Sequence, residues 1–482
     1  MKYFLAFIFA FLFLTPLSAQ DIAALLQNPV LKDAQYSVYA KYTDGASIVE
    51  INPDSRLSPA SILKLYTTAA ALDILGADYK FKTEIYLSGT QKKSTFYGDI
   101  FIRGGGDPVL GSVRMPNTPA LEELTDNWAA AIKALGINTI TGNIYADNSI
   151  YGGMALPWRT SYQNIGNYYA APADGLSVRD NSYDIYFEPS SVGGRQVKAL
   201  YMDPHIKGLE IISDVKSRAG AGPGNIYVNF IPGSNAVNIR GSISLSVKPL
   251  EVSAAMPNPA LFLADYFKDK LQEQGVKVKG AAQILKPAGY SGKKLALMHE
   301  SPPLAEIIRY TNKRSFNLYA DMLLRALSAH TGGVGSAHEG AAKVKDFLTR
   351  LNIDAANLEI YDGSGLSRDN ISSCRIMVSM LEAVLKQPYK DIFIESLPVA
   401  GDIYDPSNMA RRMSGGAAAA NARVKTGTLD KARSHAGYVK DTAGREIVFC
   451  IITNNFKGGT ADVADVHENI VHALAALGAA PK

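Results

Sequence analysis

The sequence predicts an α/β (α+β) chain in which a unit built from both ends is interrupted by a large β-rich insertion. Three observations predict it. Strand patterns occur near residue 40 and again beyond residue 430, helical patterns flank them, and the stretch between about 81 and 258 has a different texture. The expected layout is a leader over 1–19, a discontinuous unit over 20–80 and 259–482, and an insertion of one or two subdomains over 81–258.

The leader reads MKYFLAFIFAFLFLTPLSAQ, with Lys2 ahead of an apolar run from Tyr3 to Leu14, then Pro16, Ser18 and Ala19. This is the signal-peptide pattern, with cleavage expected after Ala19. The run is short for a membrane span, which takes about 20 residues. No Cys marks a lipoprotein anchor at the cleavage point. An exported protein, soluble or at most peripheral to a membrane, is expected.

Tyr36 to Tyr42 alternates as a strand, Asp44-Gly45 turns it, and Ile48 to Ile51 returns. Pro59-Ala60-Ser61 opens a helix that SILKLYTTAAALDIL carries to Gly76. Short β segments such as FKTEIYLSG, TFYGDIFIRG and NIYVNFIPG then dominate, with one helical run from Pro119 to Leu135. Beyond Pro259 the pattern is helical, in LFLADYFKDKLQEQG, LAEIIRYTNKRSFNLYADMLLRAL and GAAKVKDFLTRL. Strands around Arg433–Lys440 and Ile447–Thr453, joined at DTAGR, precede a last helix near Ala461–Leu477.

At 482 residues two or three domains are expected, and 47% hydrophobic with 20% charged residues is an ordinary globular balance. The net charge of +4 comes without a dense basic block, which argues against nucleic-acid binding. Two cysteines, Cys374 and Cys450, exclude a disulfide scaffold and a Cys-rich zinc module; buried free thiols are the preferred reading, with pairing left open. The seven histidines are scattered, and His467-Glu468 with His472 departs from HExxH, so neither metal nor cofactor is expected.

Three short strings carry chemistry together. In Ser61-Ile62-Leu63-Lys64 a helical spacing of three puts an amine beside a hydroxyl. Serine is a poor nucleophile until a base takes its proton, and lysine serves if burial lowers its pKa. Ser315-Phe316-Asn317 offers a second hydroxyl and an orienting amide, or simply a helix break. Lys425-Thr426-Gly427-Thr428 offers a cation, two hydroxyls and a glycine that lets a substrate backbone approach, a set suited to a terminal carboxylate. Each string alone also occurs by chance.

Their order, S-x-x-K then S-x-N then K-T-G, resembles the penicillin-interacting serine D-Ala-D-Ala peptidases. Ser61 to Ser315 spans 254 residues, too far for a compact β-lactamase, and Ser315 to Lys425 spans 110. That spacing, with PASILKLYTTAAAL, IRGGGDPVL, YDGSGLSRDN and VKTGTLDKARSHAGYV, resembles the DacB-type, penicillin-binding-protein-4-like carboxypeptidases of peptidase family S13 from about Tyr36 to Asn454. Phe316 stands where Asp is frequent, Thr428 where Ser is common, and His435 where an aliphatic is common.

The resemblance implies a serine β-lactamase/transpeptidase-like domain, an antiparallel sheet flanked by helices. It implies that Ser61 attacks the bond between two D-alanines, or its equivalent in a cross-link, while Lys64 accepts the proton. Ser315, held by Lys425, would protonate the leaving amine, and Asn317 would hold Lys64 and the substrate amide. The N–H groups of Ser61 and Thr428 would form the oxyanion hole. Arg368 is expected at the cleft edge against a charged stem, or as a surface arginine. Asp147 is expected to reach the amino end of a diamino acid, with Tyr151 as a wall. Gly104 to Pro108 reads as a turn, and Glu122-Glu123-Leu124 as a helix surface. The implied partners are peptidoglycan stem peptides and inhibiting β-lactams, and the implied location is the periplasm of a Gram-negative-type bacterium. A β-lactamase or D-amino-acid esterase on the same scaffold, and a non-catalytic peptidoglycan-binding protein, are the alternatives.

Overall fold

The computed structural model describes residues 19–478, apart from 157–158, 189, 191, 221–223, 232, 246–250 and 286–288. The apolar run of the expected leader lies outside the described residues.

Both ends of the chain meet in one antiparallel sheet. Its strands are β1 (Gln35–Tyr42), β2 (Ser47–Ile51), β3 (Arg423–Leu429), β4 (Ala432–Lys440) and β5 (Glu446–Asn454), in the order β3-β4-β5-β1-β2. The register pairs Gln35 with Asn454, Thr426 with His435 and Thr428 with Arg433. Side chains alternate across a strand, so this sheet supplies two apolar faces. Ala436, Tyr438, Val448, Cys450 and Ile452 face a layer of helices, while Val424, Val439, Phe449 and Ile451 face a final helix on the other side. Each fully buried Ile or Phe among them contributes about 1.5–3 kcal/mol.

Four helices matter for the site: α1 (Lys64–Leu75), α2 (Leu304–Arg314), α3 (Asn317–Ala329) and, behind the sheet, α4 (Thr460–Ala476). The central helix α1 is packed nearly all round, with Leu65, Tyr66, Ala69, Ala70, Ala71 and Leu72 buried together with the polar Lys64, Thr67 and Thr68. The expected helix opening at Ser61 is a 3-10 turn, Ala60–Leu63, that runs into α1. Cys374 and Cys450 are buried free thiols, Cys450 on β5 and Cys374 in the helical layer that this face of the sheet packs against.

The insertion contains a seven-stranded sheet and two three-stranded sheets. Its extent differs from the boundary at 258 expected from texture. Lys294–Glu300 pairs with Lys82–Lys92, and Lys277–Val278 and Ala282–Ile284 pair in parallel with Thr139–Ile140 and Ile144–Asp147. The Pro259–Glu273 helix packs its Phe267 edge-on against Trp128 of the Leu121–Ala134 helix, with ring centroids 5.8 Å apart. Hydrogen bonding and core packing therefore group 259–300 with the insertion. A helical pattern at 259 marks a change of local structure, whereas membership follows from long-range pairing that the pattern does not encode. Among the described residues no helix is long and apolar enough to cross a membrane.

Candidate active site

Ser61, Lys64, Ser315, Asn317 and Lys425 converge at the edge of the sheet, on the side of the helical layer. The 3-10 turn holds Ser61 one turn ahead of Lys64, whose Nζ lies 2.9 Å from Ser61 Oγ. The same Nζ lies 2.7 Å from Asn317 Oδ1 and 2.6 Å from the Ser364 carbonyl oxygen. Lys64 is completely buried. Burial brings its amine down to about 8, against the opposing pull of the Asp321 and Asp362 carboxylates. Burial in turn pushes both carboxyls up from their usual range.

Two of the three strings sit beside left-handed backbone. Ala60, just before Ser61, has φ 48°, and Ser315, between α2 and α3, has φ 58°. Non-glycine residues take this region at a cost of order 1–3 kcal/mol each, which the surrounding packing must offset. At Ser315 the helix break and the functional reading coincide, because breaking the helix turns the hydroxyl toward Lys425. Lys425 Nζ donates to Ser315 Oγ at 2.8 Å and to the Thr426 carbonyl at 2.8 Å. Burial holds this amine well below its ordinary range, and nearby Lys64 and Arg433 lower it further. Asn317 is fixed from its other end, since Nδ2 donates to the Tyr169 carbonyl of the insertion at 2.8 Å. Phe316, at the position where Asp is frequent, meets Tyr319 edge-on (4.9 Å) and lies beneath the Arg114 guanidinium (5.8 Å), which also covers Tyr168 (4.8 Å).

β3 is the edge strand, and Gly427 brings it against the nucleophile turn. A Cβ at 427 would lie 2.7 Å from Ser61 N and 2.8 Å from the Pro59 carbonyl oxygen. The turn is tied from β4 as well, where Ser434 Oγ donates to the Pro59 carbonyl at 2.5 Å. Thr426 is half-buried and Thr428 exposed along the same strand.

The Ser364 carbonyl, Asp321, Asp362 and Tyr169 were not singled out from sequence. Asp362 accepts hydrogen bonds from the Gly365 and Ser367 amides, both at 2.6 Å, and from Asn370 Nδ2 at 2.9 Å. Asp321 accepts from the Gly363 amide at 2.8 Å. These bonds fold D-G-S-G into a loop that turns the Ser364 carbonyl onto Lys64. Gly365 has φ 81°, and a Cβ there would lie 2.0 Å from the Ala60 carbonyl oxygen, so only glycine fits. The Asp and Gly cluster was the available signal.

The two peripheral residues separate. Arg368 is exposed at the rim, donating to the Asp430 carbonyl and lying 3.7 Å from its carboxylate, two residues beyond Thr428. Asp147 is buried in the inserted sheet, where it accepts from Tyr290 Oη at 2.5 Å and from the Ser149 amide at 2.9 Å. It stands apart from the converged cluster. Tyr151 is buried behind α3, its hydroxyl donating to the Met322 carbonyl at 3.1 Å.

The family model described as D-Ala-D-Ala carboxypeptidase 3 (S13) family matches residues 18–477. The D-alanyl-D-alanine carboxypeptidase of Actinomadura sp. (strain R39) is 31% identical over 448 residues, 91% of this chain and 81% of its own. D-alanyl-D-alanine carboxypeptidase DacB of Haemophilus influenzae is 24% identical over 418 residues, 86% of this chain and 83% of its own. The crystal structure of penicillin binding protein 4 (dacB) from Haemophilus influenzae shares the fold, with a TM-score of 0.80 and 22% identity over 94% of this chain and 98% of that one. The same protein complexed with a β-lactam gives 0.77 at 23% identity, over 95% and 99%.

Proposed function

The chain belongs to the D-Ala-D-Ala carboxypeptidase 3 (S13) family, and from that membership and the cleft geometry we propose an exported serine D-alanyl-D-alanine carboxypeptidase, with endopeptidase capacity on peptidoglycan cross-links, inhibited covalently by β-lactams.

The observation that carries the reading is the set of three contacts around Lys64 Nζ. Two of them, Asn317 Oδ1 and the Ser364 carbonyl, are acceptors only. A neutral amine spends its two N–H groups on them, which leaves its lone pair facing Ser61 Oγ at 2.9 Å. Lys64 then takes the hydroxyl proton as Ser61 attacks the carbonyl carbon of the penultimate D-alanine. The oxyanion forms beside the edge strand, where the N–H groups of Ser61 and Thr428 receive it. The C–N bond breaks as the proton held by Lys64 is relayed through the Ser315 hydroxyl, backed by Lys425 at 2.8 Å, to the departing amine, which leaves Lys64 neutral and Ser315 protonated. Water releases the acyl group, returning Ser61. An extended stem peptide lies along β3 as an added strand. Arg368 meets it at the rim. The leader pattern supports export, and the location proposed is the periplasm of a Gram-negative-type cell.

Intact-mass measurement after penicillin treatment tests this. A single adduct on the mature protein that disappears in Ser61→Ala is expected, together with release of D-alanine from muropeptides. An adduct that survives Ser61→Ala, or none on folded protein, removes Ser61 from the role.

A further inference from the structure

The face of the sheet turned away from Lys64 holds a guanidinium that the reaction above does not use. Arg433 is only 8% exposed, and its one hydrogen bond among the described residues goes to Thr428 Oγ1. Its Nε is buried without any partner. Neighbouring Arg412 is paired with Glu468 and Asp465, whereas no ion pair among the described residues joins Arg433 to a carboxylate. A buried cation is normally neutralised by direct contact; Glu468 and Asp465 act on Arg433 only from beyond ion-pair distance, being engaged by Arg412.

Register places that cation. Arg433 pairs across the ladder with Thr428, and His435 with Thr426, so the two hydroxyls and the guanidinium share one face at the edge strand. A threonine hydroxyl has one hydrogen and two lone pairs. Because Arg433 donates to Thr428 Oγ1, that oxygen is fixed as an acceptor inward, and its hydrogen is directed outward. The cation behind it polarises the hydroxyl into a stronger donor. Lys425 cannot supply the same charge, since its Nζ is spent on Ser315 and the Thr426 carbonyl and burial disfavours its protonation. Burial and Arg412 lower Arg433 to about 10, against the opposing pull of the Glu468 and Asp465 carboxylates, which leaves it charged at neutral pH.

We propose that Arg433 is a positioning residue for the substrate's terminal carboxylate, acting through Thr428 Oγ1 to make the edge strand select peptides with a free, anionic C-terminus. This deepens the carboxypeptidase reading and rests on it.

The test compares a diacylated peptide ending in D-Ala-D-Ala with the same peptide bearing a C-terminal amide, on full-length mature protein. The wild type is expected to favour the free acid. In Arg433→Met, KM for the acid should rise about 10- to 100-fold with kcat nearly unchanged, the size of one lost charge-assisted hydrogen bond. The amide's kinetics should stay put. Arg433→Lys, which keeps the charge, should fall between. Thr428→Val should reproduce the loss of preference, and adding Arg433→Met to it should do nothing further, a non-additivity that a merely structural arginine would not give. Should Arg433→Met fail to fold, Arg433→Lys and Thr428→Val still decide the matter. An acid-to-amide preference that survives all three variants overturns the inference, as does an equal loss on both peptides. A wild type that turns over neither peptide and takes no penicillin adduct sinks the carboxypeptidase reading itself.

Discussion

Gly427→Ala isolates one geometric requirement of the cleft. The new methyl would sit 2.7 Å from Ser61 N, 2.8 Å from the Pro59 carbonyl oxygen and 2.3 Å from Ser434 Oγ. The serine hydroxyl can rotate, at the cost of its bond to Pro59, but the other two atoms are backbone. Ordinary contact begins at 3.4 Å, so β3 and the nucleophile turn must part by 3.4 − 2.7 = 0.7 Å and 3.4 − 2.8 = 0.6 Å. Overpacking of this kind costs about 1–3 kcal/mol, partly offset by the 0.4–1 kcal/mol gained when alanine replaces glycine in the unfolded chain. Stability should therefore change little. Rate should change far more, because a misplacement of about 1 Å costs on the order of 10²-fold. The displacement also spreads the two oxyanion donors, Ser61 N–H and Thr428 N–H, which lie on opposite sides of the contact. Acylation by a fluorescent penicillin, followed by stopped flow beside a thermal melt, should show a ten- to hundredfold fall, to order of magnitude, with a melting temperature within a few degrees of the parent. Acylation within twofold of the parent would show that the close approach of β3 is dispensable.

Three further perturbations probe the base and the buried charges. The acylation rate should rise with pH through about 8 and level off above it, because only unprotonated Lys64 can take the serine proton and its available fraction falls tenfold per unit below that value. Lys64→Ala should lower acylation by about 10²–10⁴-fold and abolish the inflection; a retained inflection near 8 assigns it to another group. Lys313 and Asp405 form a buried ion pair that pins the 402–407 loop beside Ser315, with Lys313 also donating to the Leu397 carbonyl at 2.9 Å. Asp405→Ala leaves the ammonium uncompensated and should cost about 3–5 kcal/mol in denaturant unfolding, much of it recovered when Lys313→Met is added. A loss under 1 kcal/mol would mean that water reaches the pair.

The candidate catalytic side chains were legible because each sits in a short string whose spacing has local meaning. A step of three on a helix fixes Lys64 against Ser61 whatever the rest of the chain does, and Ser315 marks its own helix break. The strands of the central sheet were partly legible for the same reason, since alternation over 36–42 needs no partner to be read, whereas their order in the sheet was not. The Ser364 carbonyl was not, because every residue carries one and only its loop geometry, built by Asp362 and two glycines, makes it special. Tyr169 is used through its backbone and leaves no trace in side-chain chemistry. The boundary near 300 was hidden because parallel pairs such as Ala282 with Ile144 join segments more than a hundred residues apart. Phe316 stands where Asp is frequent, and the Arg114 guanidinium over its ring is a contact that the local sequence does not announce.

The bond from Asn317 Nδ2 to the Tyr169 carbonyl has a consequence for what happens if the insertion is trimmed or loosened. A side-chain amide is nearly symmetric in shape, and only its neighbours decide which end is oxygen. As held, oxygen faces Lys64 and consumes one of its hydrogens. Released from Tyr169, the amide can turn over and offer an N–H to the same amine. The lone pair that should receive the serine proton would then be occupied. A shortened chain could keep every motif residue, fold, and still lack a working base. The Tyr168–Ala170 turn thus sets the polarity of a group more than 140 residues away, and an enzyme built without it would need another acceptor in the same spot.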